Sequence, residues 1–68
     1  MKTFGRLREK IKEKYSINEK FARAMGMDKS TLSLKLNEKN EWRHTEIEKA
    51  CKLLDIPIEQ VPDYFFYQ

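Results

Sequence analysis

A single cysteine, Cys51, leaves no possibility of an intramolecular disulfide, and such usage gives no sign of export. Its neighbours Ala50, Leu53 and Leu54 mark it as a small buried hydrophobe, not a nucleophile. No apolar run approaches the roughly 18 residues of a membrane span, and no charged-then-apolar leader opens the chain. The one histidine, His44, has no partner at metal-ligand spacing and reads as a surface residue. Glycines are only two, with no phosphate-cradling loop among them. Paired carboxylates and a nucleophile–base pair are also missing, so neither an enzyme nor a metal, cofactor or small-molecule site is expected. With 68 residues there is room for one domain, 1–68, and a small core.

Charge is abundant and unevenly placed. Residues 1–43 carry twelve Lys/Arg against six Asp/Glu, while residues 44–68 carry two against five. The first two thirds therefore have a surplus of six positive charges, and the last third a surplus of three negative ones. A basic region of this kind either faces a polyanion or is the solvated surface of an ordinary basic domain.

The apolar residues recur at helical spacing, and no segment alternates with the period of a strand. Phe4, Leu7, Ile11 and Tyr15 form one stripe of a first helix, with Thr3 as its N-cap. Arg6, Arg8, Lys10, Lys12 and Lys14 lie on its other faces. A second helix falls within 17–25, capped by Ser16 with Glu19 or by Asn18, and Gly26 ends it in a left-handed conformation. Asp28 caps a third helix of about 29–37, buried through Leu32 and Leu36. Thr45 and Glu48 have the spacing of a capping box for a fourth helix, in which Ile47, Ala50, Cys51 and Leu54 point inward. Residues 55–57 end that helix at Pro57, and a short fifth helix over 58–61 stops at Pro62. The fold expected is all-α, a compact bundle of four to five helices.

Residues 18–37, NEKFARAMGMDKSTLSLKLN, are the most informative stretch. Two short helices flank a three-residue turn, Ala22 permits close packing, and Met27 fills the space between the helices. This is the helix-turn-helix arrangement, whose second helix enters the major groove of DNA. The pattern Phe21-Ala22-x-x-Met25-Gly26-Met27-x-Lys29-Ser30-Thr31-Leu32-Ser33 resembles the Cro/CI-type (XRE) domain of phage repressors. The resemblance extends over about residues 4–61, including Leu54-Asp55-Ile56 and the short helix after it.

That resemblance implies a lambda-repressor-like bundle acting as a Cro-like transcriptional regulator on double-stranded DNA. It further implies a cytoplasmic protein of a phage or its bacterial host. By position it assigns base contacts to Lys29, Ser30, Ser33 and Leu34, and backbone contacts to Asn18, Asn37, Lys39 and Arg43. Thr31 and Lys35, pointing sideways from the same helix, suit phosphates. Leu34 either touches a thymine methyl or packs on a neighbouring helix. Trp42 covers the core edge, lies along DNA or joins an interface. Tyr64, Phe65, Phe66 and Tyr67 form either a lid on the core or a homodimer contact.

Three departures from the pattern support a second reading. Asp28 stands where Ser or Thr is usual, Glu38 replaces the glycine after Asn37, and Glu41 adds another carboxylate nearby. Ile11 and Leu36 occupy the places of a buried Arg–Glu pair. Acidic groups and an exposed leucine on the face meant for DNA fit a protein-interaction module on the same fold, an antirepressor-type partner of a repressor.

Overall fold

The computed structural model describes residues 4–66, and every regular element in that span is helical. The order is α1 (Gly5–Tyr15), α2 (Asn18–Met25), α3 (Lys29–Leu36), α4 (His44–Leu54), a single 3-10 turn (Ile58–Gln60) and α5 (Val61–Phe65). The all-α bundle expected from periodicity is the one observed. Helix α1 packs against α2, α4 and α5, and α2 against α3 and α4.

One core joins all five helices. Leu7 and Ile11 of α1 meet Phe21, Ala22 and Met25 of α2, Leu32 and Leu36 of α3, and Ala50 and Leu54 of α4. Phe4, Ile56 and Phe65 close its ends. Tyr15, last in the α1 stripe, is half-buried with its ring centroid 5.3 Å from that of Phe21.

Helix ends depart from the sequence reading in instructive ways. Gly26 ends α2 at φ 78° as expected, and Asp28 is the N-cap of α3. The α2 cap, however, is the extended residue Ile17, with neither Ser16 nor Asn18 in that role. The expected cap Thr3 lies outside the described residues. Helix α4 opens at Arg43, two residues before the Thr45–Glu48 box, because Glu46 reaches back to accept the Arg43 N–H at 2.8 Å. Pro62 sits inside the first turn of α5 instead of stopping a helix, since its missing N–H would have had no partner there.

Two cations bind the C-terminal ends of helices. Arg8 donates from Nη2 to the Leu36 carbonyl at 2.8 Å, and Lys49 Nζ to the Met25 carbonyl at 3.3 Å. Both place positive charge at the negative end of a helix dipole while satisfying orphan carbonyls. Arg8 therefore links α1 to α3 one turn before Ile11, which is itself fully buried.

Candidate functional site

Helix α3 presents its sequence-selected residues as two groups. Lys29, Ser30, Ser33 and Leu34 are exposed, and Leu34 keeps 44% of its surface in solvent. Thr31 and Asn18 are half-buried. Lys35 is the clear exception and corrects the expectation of a phosphate contact. Only 6% of it is exposed, its Nζ lies 2.9 Å from Glu46 Oε1, and it also donates to the Glu41 carbonyl at 2.9 Å. Three residues after Leu32 and one before Leu36, it falls on the buried face of the helix.

Glu46 holds the centre of this linkage. Burial pushes its carboxyl upward, but the Arg43 N–H and the Lys35 ammonium outweigh burial and hold it below its ordinary value. The pair thus fastens the exit of α3 to the first turn of α4. Arg43, expected to touch a nucleic-acid backbone, is exposed in its side chain but serves α4 as its N-cap.

The end of α3 is likewise tied within the chain. Asn37 accepts from Arg8 Nη2 at 2.9 Å through Oδ1 and donates to Ser33 Oγ at 3.3 Å. Both ends of its amide already have partners, contrary to a purely backbone-contacting role. Glu38 takes the left-handed conformation at φ 59° that a glycine would adopt without strain. Behind it, Lys39 donates its backbone N–H to the Leu34 carbonyl at 2.8 Å, while its side chain remains exposed.

Electrostatics argue against a polyanion here. Residues 28–41 contain Lys29, Lys35 and Lys39 against Asp28, Glu38 and Glu41. With Lys35 neutralised by Glu46, the segment has no positive surplus toward solvent. Affinity for duplex DNA depends on neutralising phosphates. Cations on α1 are engaged as well: Lys14 pairs with Asp55 at 2.9 Å and Arg6 lies 3.9 Å from Asp63.

The C-terminal aromatics divide between core and surface. Phe65 is 2% exposed and meets Trp42 edge-on at a ring-centroid distance of 5.2 Å, with Phe4 6.4 Å away on the other side. Trp42 thereby covers the edge of the core. Its Nε1–H is shielded from solvent and meets no acceptor among the described residues. Phe66, by contrast, is half exposed, and Tyr64 is half-buried against the core. A homodimer contact through the whole aromatic segment is therefore corrected: Phe65 is consumed inside its own chain. Tyr67 lies outside the described residues.

A feature missed by the sequence reading runs between α4 and the C-terminal segment. Ile47 and Cys51 on one side, and Ile58, Val61, Pro62 and Phe66 on the other, line a groove of about 590 Å³. Ile58 is 83% exposed. Burial pushes the Cys51 thiol upward, keeping it neutral on the groove floor. The available signal was Ile58 and Val61, an apolar i, i+3 pair that the small core did not need.

A family model covering residues 2–68 identifies this sequence. The chain belongs to the DUF739 family, described as a protein of unknown function. This DUF739 chain is also similar to a solved structure, the modulator of repression (MOR) of the temperate bacteriophage TP901-1 from Lactococcus lactis. The two share 42% identity with a TM-score of 0.85, over 96% of this chain and 88% of that one. No curated protein matches it. These findings correct the expectation of a Cro/CI-type (XRE) DNA-binding domain. Two helices around Gly26 reproduce that family's packing, but the DUF739 assignment and the likeness to a modulator of repression place the chain elsewhere.

Proposed function

We propose that this DUF739 protein regulates repression in a temperate phage by binding a repressor protein, not an operator. The observation that carries the reading is its 42% identity, across nearly the whole chain, to a phage modulator of repression. The charge distribution supports it, because the face of α3 that would approach DNA has no positive surplus. So does the apolar groove beside α4, since exposed aliphatic and aromatic groups suit a protein partner better than a phosphate backbone. Its action is stoichiometric and non-catalytic, carried out by a single module in the cytoplasm of a bacterial host. No helix among the described residues is long and apolar enough to cross a membrane.

Calorimetric titration of the purified chain into the repressor encoded in the same genome tests this reading. A saturable heat at a fixed stoichiometry is expected. Absence of binding, together with salt-sensitive binding to DNA flanking the gene, would refute it.

A further inference from the structure

Two surfaces offer themselves to a partner, and their chemistry differs. The exposed face of α3 consists of Lys29, Ser30 and Ser33 with one leucine, Leu34. Lysine and serine are depleted at the centres of protein interfaces, where aromatic and aliphatic anchors dominate. The groove between α4 and the C-terminal segment has the opposite character. Ile58 and Phe66 are 83% and 52% exposed, and half-buried Ile47, Cys51 and Val61 form its floor and wall.

We infer that this groove, not the outward face of α3, is where the repressor docks, through an apolar segment flanked by basic residues. The inference rests on the reading that the partner is a repressor. Charge complementarity selects the segment's chemistry. The groove is built entirely from residues 44–66, and the part of the chain from 44 onward carries five Asp/Glu against two Lys/Arg, whereas residues 1–43 are strongly basic. Glu48 lines the groove on α4, and Glu59 follows Ile58 on the exposed 3-10 turn. A basic partner is drawn to this end and repelled by the other. Ile58 and Phe66 then act as anchors, and the carboxylates set orientation.

The test measures affinity for the repressor encoded in the same genome, using full-length variants whose helicity is checked by circular dichroism. Ile58→Asp and Phe66→Ser alter exposed side chains, so their folds are expected to survive. Each should weaken binding by about tenfold or more, as loss of an interface anchor does. Glu48→Lys and Glu59→Lys should slow association and reduce its salt dependence. Lys29→Ala and Leu34→Ser should bind as the wild type does. Equal affinity in the groove variants, with loss in the α3 variants, would overturn the groove while leaving the repressor reading intact. Failure of the wild type to bind any repressor would remove that reading and this inference together. A wild-type dimer by light scattering that Ile58→Asp converts to monomer would identify a second copy as occupant and overturn the proposal.

Discussion

The outward face of α3 and the groove beside α4 are made from the same kinds of helix, yet they solve opposite problems. On α3 the longest cation on the buried side, Lys35, is consumed by Glu46, and the residues left outside are short, polar and electrically balanced. Beside α4 the carboxylate Glu46 is consumed instead, and large apolar groups are left outside. A helix surface is thus defined by what its neighbours use up, not by its composition alone.

The sharpest way to break this comparison is through adjacent residues. Phe65→Ala should remove about 3–5 kcal/mol of stability by emptying a core site beside Trp42. Phe66→Ala, one position on, should cost less than about 1 kcal/mol, because half of that ring is already in water. Urea denaturation of the two variants measures the contrast, and equal losses would mean that the aromatic segment does not divide as described.

Next in size is the linkage between the two regions. Glu46→Gln leaves the Lys35 ammonium buried without its counter-charge and should cost about 2 kcal/mol. The same pair predicts a pH effect. The folded-state carboxyl lies below its unfolded value, so its contribution is present above the ordinary carboxylate range of about pH 4.3. It is lost as pH falls through the folded value. Thermal melts between pH 7 and pH 3 should show a wild-type decline that is shallower in Glu46→Gln.

Smaller effects concern the backbone at the two ends of α3. Gly26→Ala places a side chain at φ 78°, where the added methyl meets only Lys49 Nζ at 3.9 Å. The penalty should therefore be conformational, about 1 kcal/mol. Glu38→Gly acts in the reverse sense, relieving φ 59° and stabilising by up to about 1 kcal/mol. It also removes a carboxylate from the α3 end. If that region were a DNA surface, the variant would bind operator DNA more tightly. On the present account it gains stability and still shows no DNA affinity, as a mobility shift at low salt would report.

Much of the fold was legible because its signals are local. Gly26 and Asp28 bracket the turn by backbone chemistry, and Leu7, Ile11, Leu32 and Leu36 announce buried faces by spacing. Lys35 was misassigned although periodicity places it with Leu32 and Leu36, because its charge was weighed above its register. The start of α4 was displaced because Glu46 answers to Lys35 on another helix, a tertiary partner that local spacing does not reveal. The groove was invisible for a similar reason: it exists only once the 3-10 turn and α5 fold back along α4. Partner choice was hardest to read, since two helices packed around a glycine turn describe a fold and leave its use open.

Residue-resolved NMR would test the central claim most directly. The isotope-labelled chain is titrated first with duplex DNA flanking its gene and then with the repressor from the same genome. Shifts at Ile58, Val61 and Phe66 on adding the repressor, with none on adding DNA, are predicted. Shifts at Lys29, Ser30 and Ser33 on adding DNA, fading as salt is raised, would contradict the account.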